Sequence, residues 1–272
     1  MDNAELASQA CQLRFEAIRM VYEAKDGHPG PALSIADIVT VLYFDEMRLD
    51  PKNPDWPDRD RLILSKGHSC PIVYAALSKR GYFGEPLEHF NLRALGSIFQ
   101  GHPVMGKTPG IDMTSGSLGN GIALGAGMAL AAKHQEKDSN VFVIVGDGEC
   151  QEGIVWEGVN FAAARKLDNL IAFVDRNDWQ SGGTVTDIIG SNNIAERFSA
   201  FKWHVQEISG HDIGRIKTAI KAAKAEKGRP SAIVCDTIKG KGCDFMENDN
   251  NWHKGVPTDE QYRSVVAAMG GN

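Results

Sequence analysis

Two polar side chains in this chain have the type and the spacing to hold a divalent metal ion. Asp147 lies in a GDG turn directly after the apolar run Val141–Val145, and Asn177 comes shortly after a second apolar run, Leu170–Val174. Carboxylate and amide oxygens suit Mg²⁺ or Ca²⁺, and the flanking glycines let a diphosphate approach closely. The pair predicts a site for a metal-bound diphosphate, which the GDG turn alone indicates only weakly.

The elements around this pair must bring its two members together. A helical pattern from Glu152 to about Lys166 connects the two apolar runs, so the segment reads as strand, helix and strand. A right-handed crossover sets such strands side by side, with their C-terminal ends at the sheet edge where open α/β sheets bind ligands. Strands and helices alternate along the chain, which predicts an α/β fold: a parallel sheet flanked by helices on both faces.

Periodicity and breaker residues predict the remaining elements. The predicted strands are Arg61–Leu64, Trp203–Ile208 and Ser231–Thr237. The predicted helices are Leu6–Ala24, Ile35–Phe44 with Ser34 as its N-cap, Pro71–Lys79, a short one with loops in Gly81–Leu95, Asn120–Ala132, Ile194–Phe201, Ile213–Lys227 and Asp259–Met269. Glycine costs roughly 1 kcal/mol per site in a helix interior, so the many glycines of Asn120–Ala132 indicate a partner backbone or a cofactor very near.

Whole-chain properties narrow the class of protein. The 272 residues are 42% hydrophobic and 24% charged, which predicts a single domain over residues 1–272 with a C-terminal extension from about residue 239 to 272. The net charge of −6 disfavours nucleic acid as a partner. No run approaches the roughly 18 apolar residues of a membrane span, and the N-terminus lacks a signal-peptide pattern. Five cysteines without a CxxC motif fit a reducing cytoplasm.

Four of the eight histidines lie in turns rich in glycine, proline or serine: His28, His68, His102 and His253. A lone loop histidine is usually just solvated. Loops after parallel strands, however, gather at one sheet edge, and such loops commonly carry function. Neutral imidazoles around one pocket suit chemistry that moves protons on sugar hydroxyls. The other four histidines lack this context and are predicted to be structural or at the surface: His89, His134, His204 and His211.

The strand, turn, helix and asparagine resemble the thiamine diphosphate motif, and the full order of motifs resembles transketolases. The motifs are GHPG at 27–30, SKGHS at 65–69, GHP at 101–103, TSGSLGNG at 114–121, GDGECQEG at 146–153, Asn177, and KGKG…WHKG at 239–255. They cover nearly the whole chain. The resemblance implies transfer of a two-carbon ketol group from a ketose phosphate to an aldose, with thiamine diphosphate and Mg²⁺ (or Ca²⁺ or Mn²⁺) as cofactors.

The resemblance also implies roles for individual residues. The metal ligands would be Asp147, Asn177 and the main-chain carbonyl of Trp179. The cofactor-binding residues would be His68, Gly116, Ser117, Leu118, Gly148, Glu149, Asn177, Lys239 and His253. The catalytic residues that line the sugar pocket would be His28, His102 and His253. Glu152 and Glu157 would meet their counterparts at a subunit interface, although exposed helical glutamates are an equally good interpretation.

The chain departs from the family pattern in three ways. Gly30-Pro31 stands where many relatives carry a small hydroxyl residue that reaches the phosphate, and WHK-G replaces WHG around His253. A complete transketolase also continues with two further domains, which supply a glutamate for the pyrimidine ring and arginines for the sugar phosphate. We therefore expect the N-terminal subunit of a split, cytoplasmic transketolase, paired with a C-terminal subunit that carries the pyrimidine-binding and C-terminal domains, as an α2β2 heterotetramer.

Three other interpretations remain open from the sequence. The α subunit of a 2-oxoacid dehydrogenase shares the GDG-to-asparagine motif but lacks the GHP loops and the KGKG…WH segment. Deoxyxylulose phosphate synthase shares several of the motifs within one long chain. A non-catalytic scaffold of the same fold is the third, and the intact Asp147, Asn177 and loop histidines argue against it.

Overall fold

A parallel β-sheet forms the centre of the computed structural model, which describes residues 1–85, 87, 91–191 and 193–270. The strands are β1 Arg61–Leu64, β2 Val141–Gly146, β3 Leu170–Arg176, β4 Trp179–Gln180, β5 Gly183–Thr184, β6 His204–Ser209 and β7 Ser231–Asp236. Within the described residues the main sheet has five strands in the order β1-β2-β3-β7-β6, all parallel. The short strands β4 and β5 form a separate antiparallel hairpin.

Helices cover both faces of this sheet. They are α1 Asn3–Ala24, α2 Pro29–Ser34, α3 Ala36–Val41, α4 Cys70–Lys79, α5 Asn120–His134, α6 Gly153–Ala164, α7 Val185–Ile189, α8 Ile194–Ala200, α9 Ile213–Ala225 and α10 Asp259–Met269. No helix in the described part of the chain is long and apolar enough to cross a membrane.

The side chains of the central strands alternate between two buried layers. Phe142, Ile144 and Phe173 point into a core shared with α1, α3, α4 and α9. Val143 and Val145 point the other way, into a core shared with α5, α6 and α8. A strand buried on both faces needs apolar residues at successive positions, which explains its unbroken apolar run. The predicted α/β fold is confirmed.

Several predicted boundaries differ from the observed ones. Ser34 is the last residue of α2 and not an N-cap, because its hydroxyl donates to the Pro31 carbonyl and to Asp175 instead. The segment after Asn177, for which no strand or helix was predicted, contains the β4–β5 hairpin and α7. The predicted Gly81–Leu95 helix lies partly outside the described residues, and the described positions of this segment are mostly turns and bends. His89 also lies outside the described residues. The helix Asp259–Met269 begins and ends where it was predicted.

The functional loops leave the sheet at one edge. The segments that follow β1, β2, β3, β6 and β7 begin at the C-terminal ends of parallel strands, so they gather there. Residues distant in sequence thereby meet above the centre of the sheet.

Candidate active site

Asp147 and Asn177 lie together at the ends of the neighbouring strands β2 and β3. Asp147 is 2% exposed. Its carboxylate accepts at 2.6 Å from the backbone N–H of Asp178, the residue directly after Asn177. The Asp147 N–H also donates to the Asp175 carbonyl at 3.2 Å. The proximity predicted from the strand–helix–strand unit is therefore observed.

The orientation of the Asn177 amide leaves its oxygen available to a cation. Its Nδ2 donates to Asp175 Oδ2 at 2.8 Å, and its Oδ1 accepts from the backbone N–H of Trp179 at 3.0 Å, so one lone pair of the oxygen remains for a cation. In the described residues no group of three or more His, Cys, Asp or Glu side chains could hold a metal ion. A cation here would therefore depend on the Asp147 carboxylate, on amide and carbonyl oxygens and on ligand oxygens, a set that suits a hard ion.

Beneath this pair lies a buried charge network that the sequence analysis did not identify. Asp175 is fully buried and accepts from Lys66 Nζ at 2.5 Å, from the Ser34 hydroxyl at 2.7 Å and from the Thr237 hydroxyl. Burial opposes ionisation of Asp175, but the Lys66 ammonium and these hydrogen bonds outweigh it and lower its pKa. The available signal was a charged residue at the end of an otherwise apolar strand.

Three of the predicted histidines are in contact. The ring centroids of His28, His68 and His253 are 5.2 to 5.7 Å apart. Burial, followed by nearby positive charge, lowers the pKa of His28 to about 4, that of His253 to about 3 and that of His68 well below its usual value. All three imidazoles are therefore neutral at pH 7. The Nδ1 atom of His28 is buried without a hydrogen-bond partner among the described residues.

His102 and two of the predicted cofactor-binding residues, Gly116 and Leu118, line the same cleft, which has a volume of about 410 Å³. Gly116 adopts a φ of 150°, and a Cβ atom there would lie 3.4 Å from the His102 ring. Gly116, Ser117 and Leu118 are exposed at the rim of the cleft. Burial, together with the charge of Arg93, lowers the pKa of His102. Backbone groups of this loop are thus open to a ligand next to a neutral imidazole.

Lys239 gives the cleft a buried positive charge. Its ammonium donates to Asn250 Oδ1 at 2.8 Å and lies 3.0 Å from His253 Nδ1. Burial, and then the nearby Lys66 charge, lower its pKa to about 8. An ammonium carries three N–H bonds, so one remains for an anionic oxygen. Because Lys239 donates to Nδ1 of His253, that imidazole carries its proton on Nε2.

Glu149 joins three of the segments that form the cleft. Its carboxylate accepts from the Ser65 hydroxyl, from Gly119 N at 2.7 Å and from Gly146 N at 2.9 Å. Burial raises its pKa. The side chain lines the cleft. Its contact with a cofactor stays a prediction. Its hydrogen bonds connect the ends of β1 and β2 to the start of α5.

Close packing accounts for glycine at one position in the cleft, Gly148, and at one beside it, Gly30. A Cβ atom at Gly30 would lie 2.6 Å from the Trp252 carbonyl oxygen, so a side chain at this position would displace the backbone next to His253. A Cβ atom at Gly148 would lie 2.8 Å from the Gln180 Cβ. Glycine at position 30, one of the departures from the family pattern, therefore lets the segment before His253 pack against α2.

Of the two predicted interface glutamates, Glu152 lines the cleft and Glu157 does not. Glu152 and Glu157 are both exposed, at the start of α6 and on α6. Helices α5 and α6 pack side by side, and three large apolar side chains are exposed on or beside them: Leu118, Leu124 and Phe161.

Taken together, the fold and the cleft define an α/β domain with a polar cleft at the C-terminal edge of its sheet, where domains of this class bind ligands. Comparison with known proteins agrees with this class. The family described as "Transketolase, thiamine diphosphate binding domain" matches residues 6–272. The chain therefore belongs to the transketolase N-terminal family, as the motifs predicted.

Two similar proteins are described as subunits. The chain is 42% identical to the 6-deoxy-6-sulfo-D-fructose transketolase subunit of Clostridium sp. (strain MSTE9), over 97% of this chain and 96% of that protein. It is 38% identical to an apulose-4-phosphate transketolase subunit of Phocaeicola vulgatus, over 98% of this chain and 93% of that protein.

Solved transketolases have the same fold. The Campylobacter jejuni enzyme superposes with a TM-score of 0.93 at 35% identity, over 99% of this chain. This chain spans 43% of that enzyme. The two relatives described as subunits are thus matched over more than nine-tenths of their length, whereas the chain matches less than half of the longer Campylobacter jejuni transketolase.

Proposed function

We propose that this chain is the diphosphate-binding subunit of a transketolase that transfers a two-carbon ketol group from a ketose phosphate to an aldose. The observation that carries the proposal is a single cleft in which the Asp147–Asn177 pair, the buried Lys239 ammonium and three neutral histidines meet. Hard oxygen ligands, a cation with a free donor and uncharged proton carriers suit a metal-bound diphosphate next to a sugar.

The residues present fit thiamine diphosphate with a divalent metal ion. Asp147, Asn177 and the Trp179 carbonyl would hold Mg²⁺, with Ca²⁺ or Mn²⁺ as substitutes. Gly148 would face the diphosphate, and the Lys239 ammonium would neutralise part of its charge. When bound, the cofactor supplies the electron sink for breaking and forming a carbon–carbon bond. The protein supplies orientation, charge neutralisation and proton transfer.

The histidines would handle the protons of the sugar. A neutral imidazole can donate from one nitrogen and accept at the other, so it can take a proton from one hydroxyl and give one to another oxygen. In His253 the proton lies on Nε2, because Lys239 donates to Nδ1. His28 has an unpartnered Nδ1, and His102 lies across the cleft. We assign proton transfer to these three residues, and contact with the diphosphate to His68.

The proposed assembly has two of these chains and two partner subunits in the cytoplasm. Support comes from the two relatives described as subunits, which match this chain along more than nine-tenths of their length. The partner would carry the pyrimidine-binding and C-terminal domains. It would cover the side of α5 and α6 where Leu124 and Phe161 are exposed next to Glu157. In this proposal residues 1–272 form one domain whose extension, from about residue 239, closes the cleft.

The donor is proposed to be a ketose with a terminal anionic group. One relative is named for 6-deoxy-6-sulfo-D-fructose and another for apulose 4-phosphate. Phosphate and sulfonate are both tetrahedral anions, so the shared feature is a charged group at the end of the sugar opposite the transferred carbons. A panel of xylulose 5-phosphate, apulose 4-phosphate and 6-deoxy-6-sulfo-D-fructose would identify the donor.

The test compares the purified chain with the complex recovered from its own cells through a tag on this chain. We expect the complex to transfer a ketol group from one panel member when thiamine diphosphate and Mg²⁺ are present, and the chain alone to be inactive. Asp147→Asn should lower the Mg²⁺ affinity of the complex by roughly 100-fold, since it removes the carboxylate ligand.

The matched control is Asp187→Asn, which removes an exposed carboxylate on α7 and should leave both readouts unchanged. Transfer by the chain alone would refute the need for a partner. Decarboxylation of pyruvate in place of ketol transfer would favour a 2-oxoacid dehydrogenase or a synthase. A complex that binds neither Mg²⁺ nor thiamine diphosphate would favour a non-catalytic scaffold.

A further inference from the structure

His211 connects the segment that carries Lys239 to helix α3, although it does not line the cleft. It follows the end of β6, and its Nδ1 lies 2.7 Å from Asp37 Oδ2. Its Nε2 accepts from the backbone N–H of Ile238 at 2.9 Å. The imidazole therefore bridges a carboxylate on α3 and the residue directly before Lys239.

The two partners determine which nitrogen of His211 carries the proton. The Ile238 N–H can only donate, so Nε2 must be the acceptor and the proton lies on Nδ1. That proton is then donated to Asp37. In this tautomer both ring nitrogens are satisfied, and the ring orientation is fixed from both sides.

Asp37 is itself held in place. Arg14 on α1 contacts it through two nitrogens, Nη2 to Oδ2 at 2.5 Å and Nη1 to Oδ1 at 3.3 Å, and both side chains are buried. Burial opposes ionisation of Asp37, but the hydrogen bond from His211 and the Arg14 charge outweigh it and lower its pKa. A charged carboxylate on a rigid helix is thus the anchor of His211.

The backbone before and after Ile238 is hydrogen-bonded to two different parts of the molecule. Thr237 N donates to the Arg176 carbonyl at 3.2 Å, and Gly240 N donates to the Gly30 carbonyl at 3.0 Å. The His211 contact lies between them, next to the residue whose ammonium reaches His253. Without it, no hydrogen bond of the described residues would hold the Ile238 N–H.

We propose that His211, anchored by Asp37 and Arg14, is a positioning residue that fixes the backbone at Ile238 and thereby holds the Lys239 ammonium next to His253. The role of that ammonium in diphosphate binding rests on the proposed function, but the positioning of Lys239 does not. His211 acts through Lys239 and contacts neither substrate nor cofactor. His211, which lacked a functional context in the sequence, thus supports the site by positioning Lys239.

The test compares His211→Leu with His211→Gln in the full chain. Gln retains one donor and one acceptor, whereas Leu retains neither. For H211L we expect roughly tenfold faster amide exchange at Ile238 and roughly tenfold faster acetylation of Lys239, because the acceptor that restrains the loop is lost. H211Q should restore both rates to within about threefold of wild type. Mass spectrometry gives both readouts.

Three internal controls make the result decisive. His204→Leu changes the same residue type at the first residue of β6, at the opposite end of that strand from His211, where His204 contacts Ser231. Acetylation of Lys224, which pairs with Glu46 away from the cleft, should not change in any variant. If H211L does not fold, H211Q against His211→Asn decides, because Asn is too short to reach both Asp37 and Ile238.

Unchanged Lys239 acetylation and Ile238 exchange in folded H211L would overturn the proposal, and so would equal changes in H211L and H204L. Titration with thiamine diphosphate and Mg²⁺ in the presence of the partner gives a separate answer. If the wild-type complex binds neither, the proposed function fails, while the Lys239 readouts still decide the role of His211.

Discussion

At the scale of single residues, the cleft contains a cation without a carboxylate partner in hydrogen-bonding contact. The hydrogen-bond partners of Lys239 are an asparagine oxygen and a neutral imidazole, and burial lowers its pKa to about 8. A desolvated ammonium of this kind gains stabilisation from an anion. Lys66 differs, because its three donors already contact Asp175, Ser34 and Pro31. Of these two lysines, Lys239 is the one that can respond to a bound diphosphate.

The affinity for thiamine diphosphate should therefore fall as the pH rises above about 8. A bound anion raises the pKa of Lys239, so below pH 8 the ammonium is charged in both states and affinity does not change. Above that pH the free protein loses a proton that binding must restore, and the affinity decreases by up to roughly tenfold per pH unit. Tryptophan fluorescence titration of the complex between about pH 7 and about pH 9.5 measures this.

Lys239→Arg should remove this pH dependence, because arginine stays charged throughout the range. The matched control is Lys241→Arg on the same loop, where the lysine is half-buried and pairs with Glu247 at 3.2 Å. It should keep the wild-type profile. A wild-type affinity that does not change with pH would contradict the assignment of Lys239 to the diphosphate.

At the scale of secondary structure, α5 uses its small residues for two different purposes. A Cβ atom at Gly125 would lie 2.6 Å from Val143 Cγ2, so this glycine lets the helix approach β2. A Cβ atom at Gly127 would meet no atom within 4 Å, and this residue is exposed beside Leu124. Packing on the sheet explains the first glycine. No contact in the described part of the chain explains the second, which faces the proposed partner.

Alanine at these two positions should change stability in opposite directions. Gly125→Ala forces a methyl group into β2 and should lower the free energy of unfolding by about 1–3 kcal/mol. Gly127→Ala improves helix propensity without a clash and should raise it by up to about 1 kcal/mol in the isolated chain. Urea unfolding measures both values. Analytical ultracentrifugation should also detect weaker association of G127A with the partner. Equal changes in the free energy of unfolding for the two variants would contradict the assignment of Gly125 to packing on the sheet and of Gly127 to the partner.

At the scale of the whole molecule, Asp175 holds the catalytic edge together. Its carboxylate joins the end of β3 to Lys66 after β1, to Thr237 after β7 and to Ser34 on α2. It also orients Asn177 through the amide nitrogen. The segments that form the cleft thus converge on one buried charge, so the geometry of the site and the stability of the fold depend on the same group.

Asp175→Asn should lower the free energy of unfolding by about 3–5 kcal/mol, because it leaves the buried Lys66 charge uncompensated. The matched control is Asp236→Asn at the end of β7, whose exposed carboxylate pairs with Arg176 at 2.7 Å and should contribute less than about 1 kcal/mol. Urea unfolding of both variants decides. Equal losses of unfolding free energy in the two variants would show that the buried Lys66–Asp175 pair stabilises the fold no more than the exposed Arg176–Asp236 pair.

This contribution of Asp175 also has a defined pH dependence. Its pKa in the folded protein lies below the value in the unfolded chain. The stabilisation is therefore present above the ordinary carboxylate pKa and is lost as the pH falls through the folded-state value. Asp175→Asn should remove this part of the acid sensitivity.

The sequence by itself determined the parallel α/β architecture and the proximity of Asp147 to Asn177. Both follow from local information, because buried parallel strands have unbroken apolar runs and a right-handed crossover brings consecutive strands to the same edge. The motif order also identified the histidine loops and Lys239. Element boundaries were predicted less accurately. The Ser34 hydroxyl donates to the distant Asp175 instead of capping a helix, and the short β4–β5 hairpin was not predicted.

Only the tertiary structure decided which of these residues meet and what holds them. The contacts between His28, His68 and His253, the Lys66–Asp175 pair and the bridge from His211 to Ile238 join residues far apart in the chain. They depend on the strand order β1-β2-β3-β7-β6, which no local pattern specifies. The neutral state of the histidines and the lowered pKa of Lys239 follow from burial, and burial exists only once the sheet and its loops have come together.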